Sequence, residues 1–167
     1  KKRDKNFKIY NYGLSNKIAN MRKLHVPFFK KYALTPFAGI EKKGVIQRLK
    51  RSLFIKDLLD KISMHSTFIK TKKLDSYNFN PSFIKIDIEG HEYECVLGSL
   101  KTIKKYKPII MVEYNRKICN KIYKLLKKMN YLKFFYDKKN NLIKKHNRED
   151  VFNIIFINKG SIKYIYE

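Results

Sequence analysis

One stretch limits what this chain can fold into more than any other: Ser82-Phe83-Ile84-Lys85-Ile86-Asp87-Ile88-Glu89-Gly90-His91-Glu92. Phe83, Ile84, Ile86 and Ile88 are bulky and three of the four are β-branched, which predicts a strand over 83–88 covered on both faces. The strand stops at two carboxylates, turns on a glycine and runs into a helical pattern. In open α/β sheets ligands bind at the carboxyl edge of the strands, so Asp87 and Glu89 stand where chemistry is done. Gly90 follows from the backbone freedom that a tight strand-to-helix turn requires.

The flanking patterns extend the same theme. Residues 91–105 read as a helix whose apolar face is Tyr93, Val96, Leu97, Leu100 and Ile103, with Lys104, Lys105 and Lys107 near its end and Pro108 to stop it. Pro108 to Tyr114 is a second buried strand ending in an acid, Glu113. Residues 116–129 form another helix facing inward through Ile118, Ile122, Leu125, Leu126 and Met129. Strands follow at 131–136 and 151–157, with a turn at 138–141. No helix separates these last two, which implies parallel units followed by an antiparallel hairpin at the sheet edge. Upstream, 7–12 reads as a strand followed by a turn, 17–44 as surface loop or short hairpin, 45–63 as an amphipathic helix and 67–71 as a strand.

The exact wording adds more than the pattern does. Lys85-Ile86-Asp87-Ile88-Glu89-Gly90-His91-Glu92, then Val96-Leu97-Gly98-Ser99-Leu100 and Lys107-Pro108-Ile109-Ile110-Met111-Val112-Glu113, closely resembles the FkbM family of methyltransferases. The resemblance runs from about Tyr10 to Ile157, with its specific core at 83–113. It implies an α/β fold: a Rossmann-like class I methyltransferase sheet, incomplete at its N-terminal side and ending in an antiparallel β-hairpin. Residues 1–167 would be a single domain, the C-terminal part of an FkbM-type domain. Within it, 17–66 would be a variable loop and helix insertion and 67–157 the best-matching core. Family members often carry Thr-Leu-Asp ahead of the motif; here Lys73 takes the threonine position before Leu74 and Asp75.

The implied cofactor is S-adenosylmethionine and the implied reaction O-methylation of a sugar or other small polar metabolite, so the partner is a small-molecule acceptor, possibly a glycan. Methyl transfer is an in-line displacement that usually removes a proton from the acceptor hydroxyl. Asp87, Glu89 and His91 are the catalytic candidates. Asp87, Glu89 and Gly90 are candidates for holding cofactor, and Glu113 and Asn115 for holding substrate. Asp87 could act as general base, hold the acceptor hydroxyl or the cofactor's amino group, or merely cap the following helix. Glu89 could bind cofactor or favour a helix dipole. His91 has a suitable pKa range, but family members often have a small residue there, so a surface histidine is the plainer reading.

No metal is expected. Asp87, Glu89 and His91 could make a divalent-metal cluster, but their spacing matches no known loop and they would share a side only if the strand persisted; His91-Glu92-Tyr93-Glu94-Cys95 opens like a zincin helix but puts Cys95 where the second histidine belongs. The glycine-rich cofactor loop of the resembled fold is also not found among these residues, which hold six glycines in all and none before Gly13. Two strands and their helices are therefore expected to be missing, and the 167 residues by themselves are expected to be inactive and to bind S-adenosylmethionine poorly.

The formal net charge of +25 raises a competing reading, a non-enzymatic basic module for nucleic acid or an anionic surface. Lysine outnumbers arginine 33 to 6, whereas readers of phosphates and base edges favour arginine. Lys, Ile, Asn, Tyr and Phe make 92 of the 167 residues, and their codons are built almost wholly from A and T. An AT-rich genome explains the lysines, so no specific nucleic-acid partner is expected. Cys95 and Cys119 lie far apart in helical patterns and read as buried free thiols, consistent with a reducing cytoplasm. No apolar stretch is long enough to span a membrane.

Overall fold

The computed structural model describes residues 7–52, 54–137, 142–145 and 151–164. In chain order the elements are β1 (Gly13–Leu14), β2 (Ala19–Phe29), β3 (Tyr32–Ala33), α1 (Lys42–Arg51), β4 (Ile62–Lys72), β5 (Phe83–Ile86), α2 (Glu92–Leu97), α3 (Leu100–Tyr106), β6 (Ile109–Glu113), α4 (Arg116–Lys127), β7 (Tyr131–Asp137), β8 (Leu142–Lys145) and β9 (Asn153–Asn158). They form two sheets, ordered β1-β4-β2-β3 and β5-β6-β9-β7-β8.

The second sheet carries the core, and strand alternation explains how. Ile86, Ile110, Val112, Ile154 and Phe156 pack with Cys95, Val96 and Ile103 of α2 and α3 and with Cys119, Ile122 and Leu126 of α4. The opposite face holds a smaller cluster of Phe134, Ile155 and Ile157. β9 is therefore buried on both faces. β5 and β6 are parallel, and β9 runs antiparallel to both β6 and β7. The strands expected at 131–136 and 151–157 are thus neighbours. β9 nevertheless lies inside the sheet, between β6 and β7, while β8 pairs antiparallel with β7 at the rim. The turn expected at 138–141 lies outside the described residues.

Several expectations need correction. The strand 83–88 is β5, four residues long and covered on one face only. Ile84 and Ile86 meet the helices, whereas Phe83 is 50% exposed and Lys85 is exposed. The reason is that β5 ends its sheet among the described residues and no helix lies over its second face. Residues 7–12 form no strand; Tyr10 instead packs edge-on against Tyr77 and Phe79, and pairing begins with β1, parallel to β4. The helix expected over 45–63 stops at Arg51, where Ser52 is extended, and resumes as a 3-10 helix over Lys56–Lys61 before the chain extends from Ile62 to pair with β2. The segment 17–44, expected as surface loop or short hairpin, holds that partner strand, eleven residues long, which turns into a short antiparallel pairing with β3.

The helix expected at 91–105 is two helices. Gly98 separates them because the carbonyl of Ser15 lies where a side chain would stand: a Cβ on Gly98 would sit 2.0 Å from that oxygen. α3 then starts afresh, and its first amides need acceptors. Asp75, 26 residues earlier, supplies them: Lys101 N–H donates to Asp75 Oδ2 at 3.0 Å and Thr102 N–H to Asp75 Oδ1 at 2.8 Å. Asp75→Ala is expected to cost about 1–2 kcal/mol by loss of this cap, read as a melting temperature lower by about 2–8 °C in thermal unfolding. An unchanged melting point would show that the cap contributes nothing. At its other end α3 stops before Pro108, with Lys107 in the left-handed region at φ 51°.

Both cysteines are buried and unpaired. Burial pushes the Cys95 thiol up to about 12 and raises that of Cys119. Such thiols are inert packing groups. Among the described residues no helix is long and apolar enough to cross a membrane.

Candidate active site

The register of two parallel strands builds the site. Ile86 lies opposite Val112, so the residues one step on, Asp87 and Glu113, leave the sheet side by side at its carboxyl edge. Glu89 joins them because the turn bends back: Glu89 and Gly90 have φ of 52° and 96°. The second value is one that glycine adopts freely; the first strains a glutamate. One carboxylate oxygen from each of Asp87, Glu89 and Glu113 lies within 4.8 Å of the others. Glu89 and Glu113 line a cleft of about 410 Å³, together with Arg48, Gly90, His91, Glu92 and Asn115.

Arg48 of α1 closes one side. It donates to the carbonyls of Glu89, Phe37 and Ala38 at 3.0–3.1 Å, and its Nε stands 3.4 Å from Glu89 Oε2. One guanidinium thereby fastens α1 and the turn before it to the β5–α2 turn. Asp87 pairs with Lys85 at 2.7 Å on the exposed side. Burial raises the pKa of both Glu89 and Glu113, and each is raised further by the neighbouring carboxylates; Arg48 opposes this at both. Glu92 lies beneath, 3% exposed, with Oε1 accepting from Gly90 N–H at 2.8 Å.

His91 is not a surface residue. It is 8% exposed, because the α2 start packs under the turn after β1. Its Nε2 is 3.0 Å from the Oγ of fully buried Ser15, to which Arg22 donates at 2.9 Å, and its Nδ1 is 3.6 Å from Glu94 Oε2. Its ring nitrogens thus join the two sheets instead of turning toward the three carboxylates. Burial lowers the His91 pKa, and nearby Arg22 lowers it further against the pull of Glu94. The unfolded chain therefore takes up a proton more readily than the folded one. Stability is expected to be full above about pH 6.5 and to fall as pH drops from there through the lower folded value. Denaturant midpoints between pH 8 and 5 measure this, and His91→Gln should flatten the curve; a parent curve already flat would refute it.

Asn115 starts α4. Its Oδ1 accepts from Ile118 N–H at 3.2 Å, which is a helix cap, while the residue also lines the cleft.

The profile of the methyltransferase FkbM domain matches residues 4–133. The chain belongs to the FkbM methyltransferase family. No curated protein sequence matches it. A solved structure similar to it is methyltransferase FkbM from Methylobacillus flagellatus KT, at 18% identity and a TM-score of 0.41. The match covers 54% of this chain and 23% of that one, so this chain spans about a quarter of that protein.

In this FkbM chain the structure brings together Asp87, Glu89, Gly90 and Glu113 from the sequence-derived candidates, sets Asn115 on the cleft wall and turns His91 to other partners. Sequence reasoning missed Arg48 and Glu92. Glu92 carried a signal, since an acid at the first turn of a helix that follows a glycine turn can bond back to that turn. Arg48 carried none, being one cation in an exposed-looking helix 41 residues away.

Proposed function

We propose that this chain serves an S-adenosylmethionine-dependent O-methyltransferase acting on a sugar or other small polar metabolite, possibly a glycan. Family membership supports the reaction class. The observation that carries the site is the meeting of Asp87, Glu89 and Glu113 at the carboxyl edge of two parallel strands. A Rossmann-like class I sheet is part of the proposal, supported by the parallel β5–β6 pair under helices and by the antiparallel β9 beyond it.

When bound, S-adenosylmethionine supplies a methyl group on a sulfonium centre. The acidic edge fits the cationic end of such a molecule. Asp87, exposed and at the rim, would be the general base, taking the proton of the acceptor hydroxyl as its oxygen bonds the methyl carbon and that carbon's bond to sulfur breaks to leave a neutral thioether. Glu89 and Gly90 shape the cofactor side of the turn, and Glu113 and Asn115 face the acceptor. His91 holds the turn in position through Ser15 and Glu94. The unpaired buried thiols support a reducing cytoplasm as the working compartment.

The test is transfer of labelled methyl from S-adenosylmethionine to a panel of sugars and small polyols, by a polypeptide that joins this chain to a glycine-rich cofactor loop. Label in an ether oxygen is the expected result; label found only on nitrogen or carbon acceptors would overturn O-methylation. The 167 residues by themselves are expected to bind the cofactor weakly, and micromolar affinity in calorimetry would refute that.

A further inference from the structure

We propose that Asp87, Glu89 and Glu113, backed by Glu92, bind a hard divalent cation of the Ca²⁺, Mn²⁺ or Mg²⁺ type. The first ground is geometry. One oxygen from each of the three lies within 4.8 Å of the others. Oxygens that share one Ca²⁺ ion can be no more than about 5.2 Å apart, so the three are near enough to share one ion. All donors are carboxylate oxygens, which favours hard ions over zinc or copper.

Glu92 is an independent observation. It lines the same cleft and is 3% exposed. Its Oε1 takes the Gly90 N–H, but its buried Oε2 has no hydrogen-bond donor. A buried carboxylate oxygen with nothing to accept from is unfavourable unless positive charge lies near. Its charge acts on both Glu89 and Glu113, so the deficit belongs to the same cluster. Arg48 and Lys85 pair with members of the cluster, and Arg51 and Lys117 line the same cleft. Four of the chain's fourteen acids gather here in a molecule of net charge +25, and a dication met elsewhere on its surface would be repelled.

The sequence alone could not show this, because it set Asp87 and Glu89 beside His91. The fold turns His91 to Ser15 and Glu94 and brings Glu113 from β6 instead. Lys85 is the built-in competitor: its Nζ holds Asp87 at 2.7 Å, and its side chain is exposed enough to swing away. An acceptor hydroxyl completing the ion's shell would be held in place and made more acidic. That role rests on the methyl-transfer reading; cation binding does not.

The experiment is Mn²⁺ binding to the 167-residue chain, followed by loss of the free-ion paramagnetic resonance signal and repeated with Ca²⁺ as competitor. One ion per chain is expected. Glu113→Gln and Glu92→Gln should weaken it about tenfold or more by removing ligand charge, and Lys85→Met should tighten it. Asp57→Asn, an exposed acid outside the cluster, should leave it unchanged. Circular dichroism confirms which variants fold, and Glu89→Gln replaces any that does not. No binding below about 1 mM, the weak end for such sites, would overturn the proposal. So would equal losses from Asp57→Asn and Glu113→Gln. Binding in a protein that transfers no methyl group keeps the cation site and removes the enzymatic reading. Transfer that persists in excess chelator removes the ion's role in the reaction.

Discussion

Asp87→Asn is expected to lower methyl transfer by about 10²- to 10⁴-fold, the usual worth of a positioned general base. The substitution keeps shape and hydrogen-bonding reach but cannot hold the acceptor proton. Stability should barely move. Among the described residues the ion pair it breaks is the exposed one with Lys85, and such pairs contribute little. The loss should fall on kcat, because a hydroxyl can still be bound while its proton has nowhere to go. Single-turnover transfer of labelled methyl, with a melting curve beside it, measures both. Turnover within a fewfold of the parent would remove Asp87 from the chemistry and leave it as a turn residue.

Gly98→Ala is expected to destabilise the chain by about 3 kcal/mol or more, at the upper end of overpacking costs. Intrinsic propensity points the other way, since alanine stabilises a helical position over glycine by about 1 kcal/mol. Space decides between them. A Cβ here would stand 2.0 Å from Ser15 O, 2.8 Å from Ser15 C and 3.3 Å from Asn16 Cα. These are backbone atoms, which cannot rotate away, so the turn after β1 must lift off the α2–α3 junction. The Ser15–His91 bond should lengthen with it. The melting temperature should drop by about 6–12 °C, taking the slope for a chain of this size. Ser15→Ala, which removes the same hydrogen bond without crowding, should cost far less. A variant as stable as the parent would show that this approach is not close.

Residues 83–127 were nearly transparent to sequence reasoning. Their signals are local: alternating bulky residues for β5 and β6, apolar spacing for α2 to α4, a glycine turn between, and an acid at each strand end. The interior faces follow from the same periodicity, down to Cys95 and Cys119. Residues 7–72 were legible only in part: the strand expected at 67–71 falls inside β4 and the helix expected from 45 falls on α1, but the full length of β2 and β4 carried no clear alternation. Their extended form comes from pairing with each other across a gap of some forty residues.

At the site the division is similar. The sequence by itself determined the family, the types of group at the sheet edge and the glycine that turns the chain there, since these depend on residues adjacent in the chain. The tertiary structure alone decided that Glu113 stands beside Asp87, that Arg48 reaches Glu89, and that His91 is buried against Ser15. It also put β9 between β6 and β7 and left no room beside Gly98. Each of these depends on strand register or on contact between segments tens of residues apart, and no local pattern encodes such distances.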